Sequence, residues 1–63
     1  MNVKIYEKHK VNNYMVEDEN PVQEWNDFEI QQITKVFIYG KHENTPIAIR
    51  LNHSKYNYYF VEE

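Results

Sequence analysis

The sequence predicts a small α+β domain, a ββαβββ chain in which about five antiparallel strands carry one short helix; an all-β, partly open barrel is the alternative. Three observations lead there. Val, Ile, Tyr, Phe, Trp and Thr make up 24 of the 63 residues while Ala and Leu together make up 2, so residues that pack well on a pleated surface dominate. Apolar residues recur at every second position in several short stretches, the period of a half-buried strand. Residues 20–23, Asn-Pro-Val-Gln, carry the signature of a helix start.

The first two strands follow from Asn12-Asn13, since asparagine tolerates the positive φ that a two-residue hairpin turn requires. Residues 2–11 and 14–19 then pair so that Val11 faces Tyr14, His9 faces Val16 and Lys8 faces Glu17. One face collects Val3, Ile5, Val11, Tyr14 and Val16. The other sets Lys4, Lys8 and Lys10 beside Glu17 and Glu19, a cross-strand arrangement of opposite charge.

The helix is expected over residues 21–31. Asn20 can cap it, Pro21 suits its first turn, Gln23 can reach back to the cap, and Glu24 and Asp27 lie near the positive end of its dipole. Its apolar positions, Val22, Trp25, Phe28, Ile30 and Ile33, spread over a broad arc. The competing reading is an acidic loop that feeds directly into a strand.

From Ile33 the pattern is β. Val36, Phe37, Ile38 and Tyr39 read as an interior strand that Gly40 ends, and residues 41–45 read as a polar connection. Pro46 belongs at the start or edge of a strand, after which Ile47, Ile49 and Leu51 alternate with Ala48, Arg50 and Asn52. His53-Ser54-Lys55 forms a turn, and residues 56–61 form the last strand.

At this length the chain, residues 1–63, is read as a single small domain that buries only about 60% of the surface it exposes when unfolded. Without cysteine it has neither disulfide staples nor a thiolate metal site, so a partner or a second copy of itself is an expected source of added stability. No apolar run approaches the roughly 18 residues of a membrane span, and MNVKIYEKHK lacks an apolar signal core; a cytoplasmic location is expected. The abundance of Phe, Tyr, Met, Ile, Asn and Lys is the bias of AT-rich coding sequence, as in low-GC bacteria, their phages and mobile elements.

The net charge of −3 conceals segregation. Residues 1–16 carry Lys4, Lys8 and Lys10 against Glu7; residues 17–29 carry Glu17, Asp18, Glu19, Glu24, Asp27 and Glu29 with no basic residue. Residues 30–61 return to positive charge through Lys35, Lys41, Arg50 and Lys55 against Glu43, and Glu62-Glu63 closes the chain acidic.

Little catalytic machinery can be assembled from this inventory, and no enzyme activity or cofactor is expected. One glycine excludes a phosphate-cradling loop, and Ser54, the only serine, lies in a turn. His9, His42 and His53 lack the short spacings that place two imidazoles on one metal.

The candidate surfaces are two. On the strand after Ile33 one parity collects Lys35, Phe37, Tyr39 and Lys41, pointing away from a core face of Val36, Ile38, Ile47, Ile49 and Leu51. Arg50 joins it from the next strand, and the last strand adds either Tyr56, Tyr58 and Phe60 or Asn57, Tyr59 and Val61, with Tyr56 and Tyr58 of the first set assigned to it. Three fates compete for this face: cover by the helix carrying Trp25 and Phe28, contact with another protein or a second copy as a homodimer, or stacking of single-stranded nucleic acid bases. The second surface is the acidic segment, with Glu17, Asp18, Glu19, Glu24 and Asp27 around Trp25; it can dock on a basic groove or solvate itself around a core tryptophan. The function expected from the sequence is therefore a non-enzymatic protein-interaction module, in its boldest form an inhibitor or accessory protein of phage or mobile-element type. The alternative is a single-stranded nucleic-acid binder that uses Tyr39, Tyr56, Tyr58, Lys35, Lys41 and Arg50.

Overall fold

A computed structural model describes residues 1–62; Glu63, half of the acidic tail, lies outside them. The described residues form seven strands, β1 (Asn2–Val11), β2 (Tyr14–Glu17), β3 (Gln23–Trp25), β4 (Glu29–Ile33), β5 (Phe37–His42), β6 (Thr45–Arg50) and β7 (Tyr56–Val61), in two antiparallel sheets. The described residues contain no helix, and the sheets do not close into a barrel. The α+β expectation is thereby corrected to all-β.

The predicted helix fails for one local and one long-range reason. Residues 21–31 hold no Ala or Leu, and β1 offers the segment a strand edge to pair with. Gln23, Glu24 and Trp25 pair with Ile5, Lys4 and Val3; the chain then turns through Asp27, whose φ is 57°, and re-enters a strand at Glu29. Alternation within the short β3 sends Trp25 to the core and Glu24 to the opposite face.

The long strand β1 organises the first sheet. Its C-terminal half pairs with β2 in the expected register, Lys8 with Glu17, His9 with Val16 and Val11 with Tyr14, and the turn between them holds Asn12 and Asn13 at φ of 51° and 68°. Strand β2 stops at Glu17, short of the expected Glu19. The N-terminal half of β1 pairs with β3 and with β7. The backbone amides of Asp18 and Val22 donate to the carbonyls of Glu7 and Ile5, so the chain follows one edge of β1 from β2 into β3, leaving the other edge to β7. The hairpin outruns the core: Val11, Tyr14 and Val16, on the same face as the buried Val3 and Ile5, are exposed, Tyr14 by 75%.

The second sheet has the order β4, β5, β6. Strands β5 and β6 meet at a two-residue turn with Glu43 and Asn44 at positive φ, so the expected polar connection is mostly strand. Gly40 does not end β5. It lies buried within it, opposite Ile30 on β4 and Ile47 on β6. A Cβ on Gly40 would meet the Phe28 ring at 2.6 Å and the carbonyl oxygen of Glu29; its φ is not positive, so the position requires empty space and no special backbone geometry.

The sheets face each other across Val3, Ile5, Phe28, Ile38 and Ile49, which are buried, with Trp25, Ile30, Ile47, Tyr56, Tyr58 and Phe60 packed around them. Phe28 sits at the seam, its amide donating to the Met1 carbonyl at 2.7 Å and its ring meeting Phe60 at 6.3 Å. Val36 and Leu51, assigned to the core face, lie past its end and are exposed. No helix of the described residues is long and apolar enough to cross a membrane.

Candidate functional site

Strand β5 builds the site by alternation. Ile38, Gly40 and His42 turn toward the first sheet, so Phe37, Tyr39 and Lys41 turn away from it. Strand β6 places Arg50 opposite Phe37 and Ala48 opposite Tyr39; strand β4 places Gln32 opposite Tyr39 and Glu29 opposite Lys41. The rings of Phe37 and Tyr39 stack at 5.7 Å and 27°. Because Ala48 is small, nothing on β6 overhangs Tyr39, which is 38% exposed. Phe37 is half-buried, while Gln32, Lys41, Ala48 and Arg50 are exposed. Apart from half-buried Phe37, the named residues of this outward face are all exposed.

Lys35 is not on the strand. It sits in the turn before β5, which Thr34 locks: the Thr34 hydroxyl accepts the Phe37 amide at 2.9 Å and donates to the Phe37 carbonyl at 3.0 Å. Arg50 lies opposite Phe37, and Lys41, two residues beyond Tyr39, faces Glu29 and shares a recess with Glu24, Asp27 and Glu43.

The remaining expected members of this face are elsewhere. Strand β7 belongs to the first sheet, where Tyr58 pairs with Ile5 and Tyr56 with Glu7, so both tyrosines project to the core side. Burial pushes the Tyr58 phenol above its usual pKa, with the neighbouring Tyr56 adding to the shift. The sequence-level assignment failed there because alternation fixes which residues of a strand share a face, while sheet membership depends on long-range pairing.

The acidic segment is likewise divided. Trp25 lies between the sheets, stacked on Phe28 at 5.8 Å and on His42 at 6.1 Å and only partly buried, so it does not cover Phe37 and Tyr39. Asp18 pairs with His9 at 2.9 Å on the surface. Glu24 and Asp27 line an open recess of about 590 Å³ together with Glu29, Lys41, His42 and Glu43. No group of three or more His, Cys, Asp or Glu among the described residues is arranged to hold a metal ion.

Glu17 acts on the outer face of the first sheet, in a second recess that it lines with Glu19, Lys4, Tyr6, Tyr59 and Val61. Its carboxylate accepts the Tyr59 hydroxyl and the Asn57 side-chain amide, each at 2.7 Å, so a residue of β2 reaches past β1 to hold β7. The hydrogen bond to Glu17 raises the Tyr59 pKa, since the carboxylate stabilises the neutral phenol and repels the phenolate. A raised folded-state pKa means that this contact supports the fold below the ordinary tyrosine pKa of about 10 and loses that support as pH climbs through the folded value. Glu17→Ala is expected to bring the Tyr59 pKa down toward the ordinary value, read from tyrosine ring shifts during an alkaline NMR titration. An unchanged Tyr59 titration would contradict the assigned cause.

Comparison with protein-family models, curated proteins and solved structures finds no match, so the functional reading is built on this geometry.

Proposed function

We propose that this chain is a non-enzymatic interaction module that binds a protein partner on the outward face of the β4–β6 sheet. One observation carries the reading: the stacked pair Phe37 and Tyr39 lies at the centre of a sheet face whose other named residues are all exposed. Aromatic residues and arginine are the types enriched at interface centres, and apolar surface flanked by charge is seldom left without use. Arg50, exposed opposite Phe37, favours a partner whose apolar patch carries a carboxylate at its rim. An inhibitory or accessory role is the form this takes when the partner is itself an enzyme.

The test compares capture from a lysate of the native host by the immobilised chain and by two variants. Tyr39→Asp is expected to weaken retention of the partner about 30-fold or more, the size of an interface hot spot, with the fold retained because the side chain is at the surface. Tyr14→Asp, on the exposed hairpin, is expected to leave retention unchanged. Equal retention by the wild type and Tyr39→Asp would overturn the proposal.

The ring pair with Arg50 beside it also has the ingredients for stacking single-stranded bases. This second reading is the weaker one, because Tyr56 and Tyr58 face the core and the chain is acidic overall. Oligonucleotide titration at two salt concentrations separates the readings: steeply salt-dependent binding that Tyr39→Ala abolishes would favour nucleic acid over a protein partner.

A further inference from the structure

The two sheets have four outer edges, and three carry a feature that obstructs pairing with another strand. The β2–β3 edge is broken at residues 18–22, which include Pro21. The β4 edge is disrupted by a bulge between Ile30 and Gln32. On β6, the pairing of His42 with Thr45 across a two-residue turn sends the backbone groups of Thr45, Ile47 and Ile49 toward β5, so Pro46, which lacks an N–H, lies in the outer row with Arg50.

Strand β7 has no such guard. Its sequence, Tyr-Asn-Tyr-Tyr-Phe-Val, contains no charge, proline or glycine and consists mostly of strong strand formers. The Lys8 amide donates to the Lys55 carbonyl, which fixes the parity of the β1–β7 ladder: Asn57, Tyr59 and Val61 exchange backbone hydrogen bonds with β1. Tyr56, Tyr58 and Phe60 therefore direct their N–H and C=O groups to the open edge, and no hydrogen bond within the described residues reaches them.

We infer that β7 is a self-pairing edge and that its occupant is β7 of a second copy, antiparallel about a two-fold axis. One register satisfies every free group. With Tyr58 opposite Tyr58 of the partner subunit, Tyr56 falls opposite Phe60 of the partner subunit and the reverse, and each of these facing pairs exchanges two backbone hydrogen bonds. The same register sets like rows of rings side by side on the core face and opposes no like charges along the strand, because β7 has none. The sheet then runs unbroken through both copies. A strand pair of this length buries less than the roughly 1,000 Å² of a stable interface, so a reversible, concentration-dependent dimer is expected.

Sedimentation velocity from about 10 μM to 1 mM tests this on the full chain. The wild type is expected to shift from a 7.8 kDa monomer toward twice that mass as concentration rises. At this length the chain is accessible to chemical synthesis, and N-methylation of the Tyr58 amide blocks the central donor while leaving its ring and the β1 pairing intact; it should weaken the dimer at least about tenfold. Val61→Lys, an exposed outer-face change, sets an ammonium opposite Lys55 of the partner subunit in this register, and should weaken the dimer at low salt with partial recovery at high salt. A wild type that stays monomeric to 1 mM, or a dimer untouched by both changes, would overturn the inference. Association that only a foreign peptide strand elicits would likewise replace the second copy with another occupant.

Discussion

Replacing Gly40 with alanine is expected to cost about 2 kcal/mol or more, lowering the melting temperature by roughly 10 °C. The added methyl has nowhere to go. On one side it meets the Phe28 ring, Cζ at 2.6 Å and Cε2 at 2.7 Å, and on another the backbone carbonyl of Glu29 on the paired strand. A ring can tilt, but the carbonyl belongs to a ladder and shifts only with β4. The gain of up to about 1 kcal/mol from removing a flexible glycine from a strand interior offsets part of this cost and is smaller than it. Thermal unfolding followed by circular dichroism measures the change, and a variant as stable as the wild type would show that the close approach of β4 and β5 is misdescribed.

Phe28→Ala should do more damage, about 3–5 kcal/mol, the range for deleting a buried phenylalanine. Its ring is 2% exposed and touches both sheets, stacked on Trp25 and set edge-on to Phe60 while lying against Gly40. Domains of this length have about 3–9 kcal/mol of total stability, so the variant is expected to lose a large share of it. Urea denaturation gives the value. Combining it with Gly40→Ala separates the two obstacles at Gly40: removing the ring relieves one contact of the new methyl and leaves the carbonyl in place. The double variant should therefore be less destabilised than the sum of the single changes, a coupling of about 1 kcal/mol or more. Strict additivity would mean that the ring is not what crowds Gly40.

These two positions mark where the sequence was and was not legible. Turn chemistry at Asn12-Asn13 specified the register of the first hairpin, because two adjacent asparagines at positive φ leave little freedom in it. Alternation about Ile38 correctly separated Phe37 and Tyr39 from the core row, a property local to one strand. The segment around Trp25 was misread because Asn20, Pro21 and Gln23 imitate a helix start, whereas the deciding factor, an open edge on β1, lies about 20 residues away. The same non-local dependence put Tyr56 and Tyr58 in the wrong sheet. Gly40 was read as a terminator, although a lone glycine inside a strand pattern also signals close approach by a neighbour, and the aromatic that needs the space is Phe28. Glu17 was read as the cross-strand partner of Lys8 and a member of the acidic segment; its link to Asn57 and Tyr59 depends on the β1–β7 pairing.

The open β4–β6 face and the unguarded β7 edge belong to different sheets, so use of one does not occlude the other by pairing. A dimer formed through β7 would present two copies of the Phe37 and Tyr39 face. Bivalent display of this kind strengthens binding to a repeated or multimeric partner without adding any contact.

The proposed interface requires Tyr39 to be accessible while Phe28 is sealed. Paramagnetic relaxation of ring protons by a small soluble nitroxide, measured on the free protein at low concentration, reads that difference directly. The account predicts strong broadening of the Tyr39 ring, intermediate broadening of Phe37 and little on Phe28. A Tyr39 ring as protected as that of Phe28 would contradict it.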